Sequence, residues 1–210
     1  MKRALILDLD NTIYPVKSIA DKLFAPLFKL MDQYRQEFSG GDFNAAIEDI
    51  MKKPFQKVAD TYKFSRELTE KGMDLLRNAT YDEAMKPFED YNLIKDLAIT
   101  KYLVTTGFLK LQQSKIKSLG IEKHFEDIFI VDPDTTSMTK RDVFLNIMMQ
   151  NNLQKDDLLV IGDDPESEIE AANDLGIETF LYDPHTIHEN DIATYKSKDF
   201  ELVKDIISRS

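Results

Sequence analysis

Ala4-Leu5-Ile6-Leu7-Asp8-Leu9-Asp10-Asn11-Thr12 runs from four apolar residues straight into two carboxylates one residue apart. Two like charges at the end of a buried strand repel one another and lose hydration unless a cation or a shared proton offsets them. A single aspartate there reads as a turn or a helix cap. The pair reads instead as a nucleophilic carboxylate with a neighbouring acid/base and a divalent cation. Outward from this first strand, 4–9, four more short apolar, partly β-branched runs have the length of buried strands: 102–105, 128–131, 158–161 and 179–182. Helical patterns lie between the later ones: Leu109–Leu119 ending at Gly120, then 141–151, then 166–175 ending at Gly176. Strands alternating with helices of this length predict an α/β fold with a doubly wound parallel sheet.

The first interval departs from that alternation. Roughly ninety residues separate strands one and two, whereas a crossover needs about a dozen. They carry amphipathic helical patterns over 18–38, 43–62, Arg66–Asn78 and 85–99, divided by Gly40-Gly41 and Pro54, with 81–87 as the return hinge. Most of the interval is therefore an inserted α-helical cap, expected over 15–87, on a Rossmann-like core made of 1–14 and 88–210. The insertion leaves the carboxyl end of strand one, where such sheets bind ligands.

Composition narrows the function classes. The chain has 210 residues, 42% of them apolar, enough for one substantial core, and a net charge of −11. No Lys/Arg-rich stripe stands out, which argues against a nucleic acid polymer as partner. With no cysteine, thiol catalysis, disulfides and zinc-thiolate sites are excluded. No apolar run approaches a membrane span or a signal peptide, so the expectation is a cytoplasmic protein with no membrane partner, acting as a monomer or homodimer. An anionic substrate remains compatible with the acidic balance, because a bound metal inverts the local sign.

Three further signals fall at strand ends. Val104-Thr105-Thr106-Gly107 closes strand two with a hydroxyl and a glycine whose backbone N–H groups suit a phosphate oxygen. Gly162-Asp163-Asp164-Pro165-Glu166-Ser167-Glu168 repeats the anomaly of strand one, although Glu166 and Glu168 also suit the dipole of a first helical turn. If strands one and four adjoin at the switch point, Asp8, Asp10 and Asp163 meet as hard oxygen ligands suited to Mg2+. Lys140 opens the helix after strand three, where a cation gains nothing from the dipole. It reads either as a solvated residue or as a buried ammonium that offsets charge between nucleophile and transferred group.

These four motifs, in this order and covering essentially the whole chain, resemble the haloacid dehalogenase (HAD) superfamily with its first type of cap. The resemblance implies that Asp8 is the nucleophile that becomes an aspartyl-phosphate. It makes Asp10 the acid for the leaving alcohol and then the base for water. Thr105 and Lys140 would act at the phosphoryl group, with Asn11, Thr106 and Gly107 completing the phosphate site. Mg2+ would be held by Asp8, the Asp10 main-chain carbonyl and Asp163, supported through water by Asp164 or Glu168. Thr106 stands where Asn is frequent, and Glu168 where Asp is common.

The expected activity is Mg2+-dependent hydrolysis of a small phosphorylated metabolite, nucleoside 5′-monophosphates being one class. The run from Asp10 to Pro15 is similar to pyrimidine 5′-nucleotidase-like members, although Tyr14-Pro15 also serves to steer the chain into the cap. Dehalogenation is disfavoured, since a departing halide needs no proton and the reaction no Mg2+. A phosphomutase using the same residues and a catalytically idle HAD-fold binding protein are the remaining alternatives. Lys17, Tyr34 and Arg35 are cap candidates for substrate contact, and His124, His185 and His188 read as surface or capping residues.

Overall fold

A computed structural model describes residues 1–189 and 192–208. Its centre is a six-stranded, all-parallel sheet: β1 (Ala4–Leu7), β2 (Thr100–Thr106), β3 (Asp127–Val131), β4 (Leu158–Gly162), β5 (Glu178–Tyr182) and β6 (Tyr195–Ser197), in spatial order β3-β2-β1-β4-β5-β6. β1 is the middle of it, with Leu7 in register with Leu103 on one side and Ile161 on the other. The chain builds outward from β1 to β3, then crosses over to place β4 on the opposite flank, so the switch point falls between β1 and β4.

Both faces of β1 are covered, which is why its sequence is apolar throughout rather than alternating. Leu5 and Leu7 belong to one apolar layer with Leu103, Leu159 and Ile161. Ala4 and Ile6 belong to the other, with Tyr102, Val104 and Val160. All three of Leu5, Ile6 and Leu7 are at most 1% exposed, each contributing on the order of 1.5–3 kcal/mol from burial. A strand so enclosed is rigid at its carboxyl end, where Asp8 emerges.

Between β1 and β2 lie α1 (Lys17–Leu23), α2 (Ala25–Gln33), α3 (Asp42–Ile50), α4 (Phe55–Thr61), α5 (Arg66–Asn78) and the single turn α6 (Asn92–Lys95). The pattern over 18–38 predicts one helix, but the chain breaks at Phe24 and restarts with Pro26 near the head of α2, followed by a 3₁₀ turn at Arg35–Glu37. Pro54 splits the 43–62 pattern into α3 and α4. α5 spans the expected residues and is capped by Ser65, whose Oγ accepts from Leu68 N at 3.2 Å.

The expected helix over 85–99 is corrected to a 3₁₀ turn at Glu89–Tyr91 and the short α6. Pro87 cannot donate to a helical ladder, and its neighbours bond elsewhere: Met85 N to Ser118 O and Phe88 N to Ile13 O.

Beyond β2 come α7 (Leu109–Leu119), ended by Gly120 at φ +66°, then α8 (Lys140–Gln150), α9 (Glu170–Asn173) and α10 (Val203–Ser208). The 166–175 helix starts differently from expectation, with a wide π turn over Pro165–Ile169 preceding α9. β6 is an addition to the five expected strands: Tyr-Lys-Ser, half-buried at the sheet edge, carries no apolar run to announce it. No described helix is long and apolar enough to cross a membrane.

Gly72 of α5 is fixed by close approach rather than by backbone conformation. A Cβ there would overlap the Phe55 ring, which is buried and packed at 5.9 Å against Phe64. Alanine gains about 1 kcal/mol of helix propensity over glycine, against about 1–3 kcal/mol for overpacking. Gly72→Ala is therefore expected to lower the urea midpoint, and an unchanged or raised midpoint would show that the ring moves freely.

Candidate functional site

The carboxyl ends of β1, β2 and β4 come together here; of the three acids expected to meet, Asp8 and Asp163 converge, whereas the Asp10 carboxylate stands apart and Glu168 takes the third place. Asp8 follows β1, Asp163 follows β4, and Glu168 returns from the π turn. Carboxylate oxygens of these three lie within 4.8 Å of one another. Lys140, at the first turn of α8, reaches into the cluster and donates to Asp8 Oδ1 and to Glu168 Oε2, both at 2.6 Å. All three of these partners are more than nine-tenths buried. Thr12 donates to Asp163 Oδ1 at 3.1 Å and so aims that carboxylate.

Glu168 comes this close because Gly162 has no side chain; a Cβ there would overlap its carboxyl group. Of the two acids expected to support a metal, Glu168 is the one inside the cluster. Asp164 instead caps the following turn, accepting from Glu166 N at 2.8 Å, while its own N–H donates to Glu168 Oε1 at 2.8 Å.

Electrostatics follow from this crowding. Burial pushes Asp8 up to about 8, with the Lys140 ammonium opposing and Glu168 and Asp10 adding to the rise. Burial, with the charges of Glu168 and Asp8, lifts Asp163 well above the usual carboxylate range. For Lys140 burial works against the charge, but Asp8 and Glu168 together hold its pKa above the usual value. One ammonium thus leaves three crowded acids, two buried and one half-buried, under-compensated. A donor set of hard carboxylate oxygens carrying excess negative charge fits a hard divalent cation such as Mg2+.

Asp10 is in a separate environment. Its carboxylate accepts from Lys115 Nζ at 2.9 and 3.0 Å, from Gln112 Nε2 at 3.0 Å, and from the Tyr14 hydroxyl. Burial alone would raise its pKa, yet the Lys115 charge and these hydrogen bonds hold it below the ordinary value. Gln112 also donates to Thr105 Oγ1 at 2.6 Å, linking Asp10 to the end of β2.

Gln112, Lys115 and the hydroxyl of Tyr14 are site groups that sequence reading missed. The available signal was the apolar stripe of α7 at Leu111, Ile116 and Leu119. Gln112 and Lys115 interrupt its buried side, at positions where polar side chains need partners.

Two expected phosphate contacts are corrected. Gly107 N–H donates to Val131 O at 3.1 Å and is not free for a ligand; its φ of +152° and the packing of Gln112 against it explain the glycine. The Asn11 side chain is turned to the cap, with Nδ2 donating to Met51 O at 3.0 Å and Oδ1 accepting from Val16 N at 3.1 Å. Thr105 and Thr106 border a cavity of about 320 Å3 together with Asp8, Asp10, Lys140, Asp163 and the α3–α4 turn. Of the cap candidates, Lys17 borders a neighbouring cavity, whereas Tyr34 and Arg35 border neither. His124 is bonded to the Tyr91 hydroxyl at 3.0 Å, and His188 N–H caps onto Asp183.

Fold and acid cluster define a doubly wound hydrolase site, and comparison with known proteins places it. Residues 5–182 match the model of the haloacid dehalogenase-like hydrolase family, and the chain belongs to that family. It is 25% identical over 112 residues to the pyrimidine 5′-nucleotidase PynA of Streptococcus pneumoniae, covering 52% of this chain and 47% of that protein. It is 30% identical over 90 residues to a ribulose-1,5-bisphosphate 5-phosphatase of Halopiger xanaduensis, covering 42% and 36%. The matched region thus spans about half or less of these relatives. Among solved structures, YfnB of Bacillus subtilis, described as a HAD-hydrolase bound to magnesium, superposes with a TM-score of 0.67 at 20% identity over 99% of both chains.

Two outcomes are expected from this geometry. Acids whose folded-state pKa lies above the unfolded value cost stability as pH rises from about 4 through about 8, and a cation can bind only their ionised forms. The increase in Tm on adding Mg2+ should therefore be larger at about pH 8.5 than at about pH 6; a gain that shrinks with pH would remove the cluster as a cation site. Lys115→Met leaves the Asp10 charge unpaired. Because the Asp10 side chain keeps 28% exposure, the loss in urea denaturation should sit near the low end of ~3–5 kcal/mol.

Proposed function

We propose that the chain is a Mg2+-dependent phosphomonoesterase that hydrolyses a small phosphorylated metabolite through a phosphorylated Asp8, with residues 15–87 as the cap. The observation that carries this reading is the unlike treatment of two carboxylates two residues apart. Asp8 sits in a buried cluster with Lys140, whereas Asp10 is anchored outside it by Lys115, Gln112 and Tyr14. Two carboxyl groups set in different environments are the arrangement expected of a nucleophile and an acid/base. A dehalogenase needs no acid for its leaving group, since halide departs without a proton, and a haloacid brings no phosphoryl charge for a cation to offset. The names of both curated relatives, a nucleotidase and a phosphatase, support the same reading.

Asp8, Asp163 and the Asp10 main-chain carbonyl would hold Mg2+ with Glu168 alongside, and the bound ion would draw charge from the phosphoryl oxygens. Lys140 orients the Asp8 carboxylate, and its ammonium lessens repulsion between that carboxylate and an incoming phosphate dianion. The Thr105 hydroxyl, already an acceptor from Gln112, is free to donate its proton to a phosphoryl oxygen.

Asp8 attacks phosphorus and the ester oxygen departs, taking a proton from Asp10. The arriving dianion favours protonation of Asp10 for this step by raising its pKa. Water then attacks the phosphorus of the Asp8 acyl phosphate and returns a proton to Asp10, releasing inorganic phosphate and restoring Asp8. Lys115 positions Asp10 in both steps without touching the substrate.

With Mg2+, the protein is expected to release inorganic phosphate from an aryl phosphate such as 4-nitrophenyl phosphate. Asp8→Asn should abolish turnover while leaving the circular dichroism spectrum unchanged. Asp10→Asn should cost about 10²–10⁴-fold, the usual share of an acid/base. Undiminished turnover by Asp8→Asn, or by EDTA-treated protein, would sink the mechanism. Transfer of phosphate to a second hydroxyl without release would identify a mutase.

A further inference from the structure

The α3–α4 turn, residues 51–54, crosses the mouth of the catalytic cavity and is tied down by Asn11 through the Met51 carbonyl. Its far side opens into a second cavity of about 420 Å3, walled by Pro15, Lys17, Phe88 and the loop after β5. Asn11, Met51, Lys52, Lys53, Asp163 and Asp164 border both spaces, so the two adjoin along this turn. A phosphoryl group seated at Asp8, Thr105 and Lys140 leaves its alcohol portion pointing away from the sheet, toward the same turn.

The charge lining this region is unusual for the chain. In a protein of net charge −11, Lys17, Lys52, Lys53 and Lys57 all face these cavities, joined by His185 and His188. The Lys17 and Lys52 ammonium groups make no hydrogen bond or ion pair with any described residue. Lys53 has only Asp49, at 3.9 Å, and the Lys57 ammonium lies near enough to Asp164 to oppose the rise that burial and Glu168 impose on that carboxyl.

The bordering acids are mostly occupied. Asp163 belongs to the cluster, Asp164 caps Glu166, and Asp183 accepts from Ile187 N and His188 N and pairs with Lys196 at 3.6 Å. Glu48 alone stands exposed beside the lysines. Gln56, which also lines the catalytic cavity, has an amide nitrogen without an acceptor among the described residues. An unmet buried donor favours a ligand that brings oxygen acceptors.

We propose that the phosphate ester carries a second anionic oxygen group, a carboxylate or a second phosphate, and that Lys52 and Lys53 receive it, flanked by Lys17 and Lys57. This rests on the phosphatase reading for the seat of the first phosphate and adds the class of the leaving group. Lysines suit the task as mobile point charges that accept either anion without a fixed bidentate geometry. The ammonium groups face solvent until the substrate arrives, so the ion pairs form in a space from which the ligand has displaced water, where they are stronger.

The test uses phosphonates that cannot be hydrolysed and so reads binding without chemistry. Calorimetric titration of the Mg2+-loaded protein compares ω-phosphono carboxylic acids and α,ω-diphosphonates of three to six carbons with alkylphosphonates of equal length. At least one length of ligand bearing two anionic groups should bind about tenfold tighter than its alkyl counterpart. That advantage should vanish in Lys52→Met/Lys53→Met, persist in Lys52→Arg/Lys53→Arg, and shrink with added salt. The diacid and diphosphonate arms separate a carboxylate from a phosphate. Equal affinities at every length, or an advantage that survives the double Met variant, would overturn the proposal. Failure of the phosphatase reading shows separately, as absence of 4-nitrophenyl phosphate turnover while the phosphonate preference stands.

Discussion

The buried ammonium of Lys140, set between Asp8 and Glu168 at 2.6 Å from each, is the contact on which the site depends. It joins three separate parts of the chain: the end of β1, the head of α8 and the turn after β4. α8 begins where it does because Thr139 and Asp142 cap one another's backbone, which fixes Lys140 at the first helical turn. A cation there is disfavoured by the helix dipole, so its position is stabilised only by the acids it meets. Conversely, it is the one cation that those two buried carboxyl groups share, and removing it would leave them facing each other without a counter-charge.

Local irregularities serve this arrangement. The π turn over Pro165–Ile169 carries Glu168 back over Gly162, the one position in β4 whose lack of a side chain leaves room for a carboxyl group. Wide turns of this kind cluster at functional sites because they re-aim a side chain that a regular helix would point elsewhere. Asn11, at φ +57°, ends the Asp8–Asp10 segment in a left-handed conformation and uses both ends of its amide to hold the chain around Val16 and the α3–α4 turn. Placement of that turn and placement of Asp8 are thereby coupled through one side chain.

Asp8 and Asp10 leave the same strand and end in opposite electrostatic conditions. Asp8 shares one ammonium with Glu168 and is pushed up; Asp10 accepts from an ammonium, an amide and a phenol and is held down. The difference originates in α7, whose buried face supplies Lys115 and Gln112, and in Tyr14, which folds back over the pair. The bare spacing of the two acids says that they differ in role only by analogy. The surrounding side chains give the physical reason.

Read alone, the sequence determined five strands of the sheet, the order of its motifs and three residues that meet, Asp8, Lys140 and Asp163, with either Asp164 or Glu168 beside them. These were legible because buried strands need continuous apolar runs, and because acids directly after such runs conflict with burial unless something compensates them. α5 and α7 were legible for a similar local reason, each having a periodic apolar face and a capping residue.

What the tertiary structure decided was everything set by contacts between distant segments. It chose Glu168 over Asp164, turned Asn11 toward the cap and closed Gly107 N–H onto Val131. It also brought Lys115 across 105 residues to Asp10, added β6 to the sheet edge and unwound the expected helix before β2. A polar side chain's partner is fixed by where the backbone carries it in space, and periodicity along the chain holds no record of that.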